Sequence, residues 1–184
     1  MSRPPGPTAD TEAVVLTAAL DLLLVEGAAA LTPARLHAAT GVSRSTVYRH
    51  WPTPHAVLES LIDVAPAGPH QMTGDLAQDL HAEVDALCNR LRDKPVGAFL
   101  QALVAAASSD PEAVPLRHRY LEDLLAPFHA ALRAGGITRA QERDDAVSAV
   151  VSPLLLDALL LDRPTARTRA HRTVDDVVAR LAPA

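Results

Sequence analysis

The residues whose types and spacing most clearly suggest a function lie in a window without carboxylates. Residues 27–58 contain Arg35, Arg44 and Arg49 but no Asp or Glu, although acids outnumber bases in the 184-residue chain and the net charge is −5. A surface free of carboxylates can meet a polyanion, because no negative side chain repels the phosphates. The alternative interpretation is a small apolar subdomain in which the gap arises by chance. The low overall basicity argues against a protein that coats nucleic acid nonspecifically, but it is compatible with a local basic patch.

The chain shows no recognisable catalytic pattern. A Ser-His-Asp spacing, GxSxG, a P-loop, HExxH and paired carboxylates are all missing from the sequence, so we expect no enzymatic activity, no cofactor and no metal. His81 and Cys88 share one face of a predicted helix, but a metal site would need ligands from elsewhere. A buried thiol is the preferred interpretation of Cys88. The single cysteine and the lack of a signal peptide or an 18-residue apolar run predict a cytoplasmic protein.

Helices must position these residues, because the composition and periodicity are helical throughout. Ala and Leu dominate, aromatic residues make up only 3%, and no segment shows the alternating polarity of a strand. We predict an all-α fold of about nine helices. The Pro-rich residues 1–9 are expected to form a disordered arm, and a break near residues 66–69 marks a domain boundary.

Two short helices joined by a glycine turn are predicted within the carboxylate-free window. Thr32 and Pro33 open the second helix of the chain, Gly41 permits the bend, and Ser43 caps the third helix. Val47 anchors the third helix to the core. The outer face of that helix is then left with short polar and basic side chains, namely Arg44, Ser45, Thr46, Tyr48, Arg49 and His50.

This helix-turn-helix resembles a known family. The stretch from Leu31 to Pro52, with its Gly41-Val42-Ser43 turn, is similar to the DNA-binding signature of TetR-family transcriptional regulators. Ala18-Ala19-Leu20 and Gly27 fit the same signature. The carboxy-terminal half resembles a common ligand-binding domain of the family. The resemblance implies an arm at 1–9, a three-helix helix-turn-helix domain at 10–64, and a helical ligand-binding and dimerisation domain at 65–184.

The resemblance also implies roles for individual residues on double-stranded DNA. Arg44 is the candidate for a bidentate contact to guanine in the major groove. Trp51 is expected to pack in the core rather than to touch DNA. The other candidate DNA-binding residues are Thr32, Ser45, Thr46, Tyr48, Arg49, His50 and Thr53.

The function implied is a ligand-responsive regulator, a repressor that binds an inverted-repeat operator as a homodimer and is released by a small-molecule effector. One residue supports an alternative function. Pro54 stands where the family usually has a lysine near the start of the fourth helix, so a phosphate contact is lost there. The alternative is therefore a dimeric small-molecule-binding protein with weakened or lost DNA binding.

The second half offers candidates for an effector cavity and for a dimer interface. His118, Glu122, Leu125 and His129 share one face of the predicted seventh helix, with Phe128 beside them and Pro127 expected to kink it. The alternative is that these histidines are exposed to solvent or hydrogen-bonded to nearby residues rather than part of an effector site. Helix eight is apolar nearly all round, which suggests an interface formed with helix nine. The predicted interface residues are Val151, Leu155, Leu159, Val174, Val177, Val178 and Leu181.

Overall fold

The computed structural model describes residues 7–64, 71–93, 95–161, 163 and 167–181. Within these residues the chain forms nine α-helices and one short 3-10 helix, Ala28–Ala30, and contains no strand, so the all-α prediction is confirmed. None of the helices within these ranges is long and apolar enough to cross a bilayer. The helices are α1 Ala9–Glu26, α2 Pro33–Thr40, α3 Arg44–His50, α4 Pro54–Asp63, α5 Leu76–Asp93, α6 Val96–Ser109, α7 Ala113–Ala134, α8 Ala140–Leu159 and α9 Arg167–Leu181.

Side-chain caps define the first four helices. Thr8, Thr32, Ser43 and Thr53 each accept a hydrogen bond from a backbone N–H in the first turn of α1, α2, α3 and α4, respectively. Pro33 and Pro54 occupy first helical positions, where no backbone donor is needed. Gly41 ends α2 at φ 69°, a conformation that a side chain would strain. The predicted starts of α2, α3 and α4 are therefore confirmed, and Ala9, the last residue of the predicted arm, already belongs to α1.

The chain divides into two compact units, and the division cuts through α7. The first unit comprises Met1–Pro66 and Phe99–Tyr120, and the second comprises Ala67–Ala98 and Leu121–Ala184. Most of α6 and the start of α7 therefore group with the amino-terminal helices. The break predicted at residues 66–69 lies outside the described residues.

The second unit is built around α5, α8, α9 and the end of α7. Its core contains Leu87, Phe128, Val150 and Val174, and the predicted buried thiol of Cys88 lies in the same cluster. A buried carboxylate orders the approach to α5, because Asp79 accepts hydrogen bonds from the N–H groups of Thr73 and Gly74 at 2.9 and 3.1 Å. Helices α7 and α8 run through Pro127 and Pro153 without interruption.

Candidate nucleic-acid interface and effector region

Helix α3 is fixed to the core of the first unit by two residues. Val47 is fully buried, and Trp51, directly after the helix, is only 2% exposed, which confirms the prediction that Trp51 packs inside. The indole Nε1–H of Trp51 donates to Ser60 Oγ on α4 at 3.1 Å. A buried indole needs such a partner. The orientation of α3 is thus determined by packing on one side and by a hydrogen bond to α4.

The opposite side of α3 faces solvent and carries the predicted DNA-binding side chains. Arg44, Ser45, Tyr48 and Arg49 are exposed, while Thr46 and His50 are half-buried. The positions 44 and 48, and likewise 45 and 49, are one turn apart, so these residues form one continuous strip. The His50 ring meets Trp51 edge-on with ring centroids 5.8 Å apart.

The guanidinium groups of this strip are unpaired within the described part of the chain. Neither Arg44 nor Arg49 forms an ion pair there, whereas Arg35 on α2 lies 2.5 Å from a carboxylate oxygen of Glu26. An unpaired guanidinium presents its full fork of donors to a base edge or a phosphate. Arg44 and Arg49 are therefore available for DNA, and Arg35 is occupied.

The predicted hydroxyl contacts are partly engaged within the protein. Thr32 and Thr53 accept the N–H groups of Arg35 and Ala56, so their side chains act as helix caps. The Ser43 hydroxyl lies 3.1 Å from Ser45 Oγ and 2.8 Å from Thr46 Oγ1. The hydroxyls of Ser45 and Thr46 can exchange these local bonds for a base or a phosphate.

The five predicted effector residues have different surroundings. His118 and Glu122 are exposed, and Leu125 and His129 are half-buried. Phe128 is fully buried in the core of the second unit, so its side chain contributes to that core. His118 belongs to the first unit and the other four residues to the second.

A cavity of about 160 Å³ lies between α8 and α9 rather than beside α7. Its lining includes Glu142, Asp145 and Arg180 together with the apolar Val177 and Leu181. None of the five predicted effector residues lines it. Their assignment to an effector site stays a prediction.

The predicted dimer interface needs a correction, because three of its residues lie in the core of the protomer. Val151, Val174 and Val177 are at most 2% exposed, so their side chains are already covered by their own chain. The rest, Leu155, Leu159, Val178 and Leu181, are half-buried.

The exposed leucines at the end of α8 were missed by the sequence interpretation. Leu156, on α8, is 48% exposed, and Leu160, directly after the helix, is 76% exposed. A signal was present, since Ser148, Ser152, Leu156 and Leu160 recur every fourth residue and the two serines mark the outward face. Helix α8 therefore has an inward apolar face and an outward row that changes from serine to leucine toward its carboxy-terminal end.

Comparison with known proteins identifies the family. Residues 15–61 match the family described as bacterial regulatory proteins, tetR family. Residues 71–177, more than half of the chain, match the tetracyclin repressor-like C-terminal domain. The chain belongs to the TetR family. It is thus a transcriptional regulator with an amino-terminal DNA-binding helix-turn-helix and a carboxy-terminal ligand-binding domain.

Individual relatives extend this TetR-family likeness over nearly the whole chain. An uncharacterized HTH-type transcriptional regulator of Mycobacterium tuberculosis is 25% identical over 181 residues, covering 95% of this chain and 89% of its own. The crystal structure of the TetR family transcription regulator SCO0332 matches with a TM-score of 0.65 and 26% identity, covering 95% of this chain and all of the other. The multidrug binding protein EbrR, complexed with proflavin, has a TM-score of 0.61 at 20% identity, covers 91% of this chain and 99% of its own, and shares the fold.

One residue in the carboxy-terminal domain of this TetR-family protein predicts a pH effect on stability. Burial lowers the pKa of His129 below its usual value of 6.5, and this outweighs the opposing effect of Asp144, whose carboxylate oxygen lies 3.9 Å from Nδ1. The unfolded chain then binds the proton more readily, so His129 lowers the free energy of unfolding as the pH falls through 6.5. We expect His129→Gln to lose less stability than the wild type between pH 7.5 and 5.5 in urea titrations. Equal losses in both proteins would contradict this assignment.

Proposed function

We propose that this TetR-family protein is a repressor that binds an inverted-repeat operator as a homodimer and leaves it when a small molecule binds. The observation that carries the DNA-binding part is the exposed strip of α3. Arg44 and Arg49 are unpaired within the described residues, and Val47 and Trp51 hold the helix rigidly behind them. A rigid helix with free guanidinium groups suits base readout in the major groove.

The homodimer is supported by the exposed leucines at the carboxy-terminal end of α8. Leu156 and Leu160 expose large apolar side chains next to the half-buried Leu155 and Leu159. A two-fold axis places the same face of a second copy against them, which removes both surfaces from water. Two-fold symmetry then requires two half-sites in successive major grooves, about 34–36 Å apart.

Effector release is supported by an ion-pair cluster in the first unit. Arg119 Nη2 on α7 lies 2.6 Å from a carboxylate oxygen of Asp63 and 3.3 Å from the carbonyl of Glu59, both on α4. Helix α7 continues from there to Ala134 in the second unit. A ligand that binds one arrangement of α7 more tightly shifts the population of α4, and with it the α3 strip. The same fold holds proflavin in EbrR.

The alternative, a small-molecule-binding dimer with weakened DNA affinity, rests on Pro54. This residue is the first of α4 and has no N–H to offer a phosphate, and Thr53 already accepts from Ala56. Selection of bound duplexes from a random pool at low salt separates the two functions. Recovery of an inverted repeat supports the repressor, and recovery of no preferred sequence supports the alternative.

Arg44→Ala tests base readout on the duplex that the wild type recovers, called here the selected duplex. We expect affinity to fall by about 1–3 kcal/mol and discrimination at one base position to relax, because a bidentate contact is lost. Tyr48→Phe is the matched control on the same strip. It removes a hydroxyl that contacts phosphate, so it should weaken selected and scrambled duplexes equally. Fluorescence anisotropy titrations measure both. Equal weakening by Arg44→Ala on all sequences would exclude Arg44 from base readout.

A further inference from the structure

The turn between α2 and α3 contains a contact that the functions above do not use. Val42 lies between Gly41, where α2 ends, and Ser43, which caps α3. Its N–H donates to Thr40 Oγ1 at 3.2 Å, and its carbonyl oxygen lies 2.7 Å from His37 Nδ1. Side chains of α2 therefore hold both polar backbone groups of Val42.

The direction of the His37 hydrogen bond follows from its partner. A carbonyl oxygen only accepts, so Nδ1 of His37 carries the hydrogen, and Nε2 is the acceptor atom of the neutral ring. Thr40 is held in turn, because its hydroxyl donates to the Leu36 carbonyl at 2.7 Å. Both side chains are half-buried. The clamp thus consists of a ring and a hydroxyl that are themselves fixed on α2.

The clamp acts on the peptide that leads into α3. The carbonyl of Val42 belongs to the same planar peptide as the nitrogen of Ser43. Ser43 begins α3, since its carbonyl accepts from Thr46 and Val47 at 3.0 and 3.1 Å and its hydroxyl accepts from the N–H of Thr46 at 3.2 Å. A change in the orientation of that peptide tilts the first turn of α3. Arg44, the next residue, would move with it.

We propose that His37, supported by Thr40, is a positioning residue for DNA recognition, and that it sets discrimination between sequences by fixing the start of α3. The proposal rests on the DNA-binding function above and adds the residue that aims Arg44. His37 does not touch DNA in this assignment. Phosphate contacts tolerate small displacements of a helix, whereas a bidentate base contact does not, because it requires two aligned hydrogen bonds.

The chain offers a matched set of variants at position 37. Alanine removes the donor while favouring helix α2, so a loss of function cannot be assigned to a weaker helix. Asparagine places an amide N–H on Cγ, where the histidine carries Nδ1, and should restore the bond. Glutamine places its amide one bond further out and should not. His37→Asn and His37→Gln therefore separate hydrogen bonding from polarity.

The DNA measurement is the ratio of affinities for the selected duplex and a scrambled duplex. We expect His37→Ala and His37→Gln to reduce this ratio about three- to tenfold, the equivalent of one lost hydrogen bond. Affinity for the scrambled duplex should stay within about twofold, and His37→Asn should retain most of the ratio. An unchanged ratio in His37→Ala, or equal losses in the asparagine and glutamine variants, would overturn the proposal.

A measurement on the free protein tests the clamp without DNA. Long-range nitrogen NMR of the wild type should show the hydrogen of neutral His37 on Nδ1, and a ring protonated at Nε2 would overturn the proposal. The two failures are distinguishable. A wild type that prefers no duplex removes the DNA-binding function and the role of His37 together. A wild type that selects a duplex, with His37→Ala equally selective, removes only the role of His37.

Discussion

Replacing Leu156 with aspartate is expected to convert the proposed homodimer into monomers and to lower affinity for the selected duplex by about 100-fold or more. The side chain is 48% exposed on the outward face of α8, where a second copy would cover it. An aspartate there is buried without a partner, and symmetry places two of them in one interface. Each monomer then binds one half-site and loses the high effective concentration of a linked second reading helix.

Light scattering and DNA titration together test this expectation for Leu156→Asp. Affinity for a half-site duplex should stay unchanged, since α3 is untouched. Val104→Asp on α6 is the matched control, because Val104 is 44% exposed and receives the same charge. It should remain dimeric. A dimeric Leu156→Asp protein would show that the outward face of α8 is not the interface.

The local elements of the fold could be predicted from the sequence because their signals are local. Thr32-Pro33, Ser43 and Thr53-Pro54 specify helix starts by bonds that span three residues. Gly41 specifies the turn by its own backbone conformation. The exposed strip of α3 follows from these signals and from the spacing of Val47 and Trp51.

The division of helix α8 between core and surface could not be predicted in the same way. Val151 and Leu156 are both apolar, yet one is buried and the other is half exposed. A helix that is apolar nearly all round provides little contrast between its faces. The packing of α5 and α9 against α8 decides which face is covered within the protomer.

Contacts between distant residues were also beyond the sequence interpretation. His81 shares a face of α5 with Cys88, but its Nδ1 lies 2.6 Å from Nδ1 of His171 on α9, and its Nε2 lies 3.0 Å from Asp175. Helical periodicity places His81 on a face and says nothing about which helix covers that face. The contact between His37 and the Val42 carbonyl spans only five residues, but it depends on the geometry of the Gly41 turn.

Asp157 and Arg169 form an ion pair whose two partners are expected to differ strongly in how much stability their removal costs. Asp157 interrupts the apolar α8, is 4% exposed, and pairs with Arg169 of α9. The Arg169 side chain is 48% exposed. We expect Arg169→Ala to lower the free energy of unfolding by about 3–5 kcal/mol, because it leaves a buried charge without compensation.

Asp157→Ala should lower the free energy of unfolding much less than Arg169→Ala, because it removes the buried charge and returns a half-exposed guanidinium to water. The double variant should then be about as stable as Asp157→Ala alone, since the penalty in Arg169→Ala comes from the orphaned carboxylate. Urea unfolding of the wild type, the two single variants and the double variant gives the complete double-mutant cycle. Equal losses in the two single variants would mean that the carboxylate is hydrated in the native state, and the ion pair would then be a surface contact rather than a requirement for packing α9 on α8.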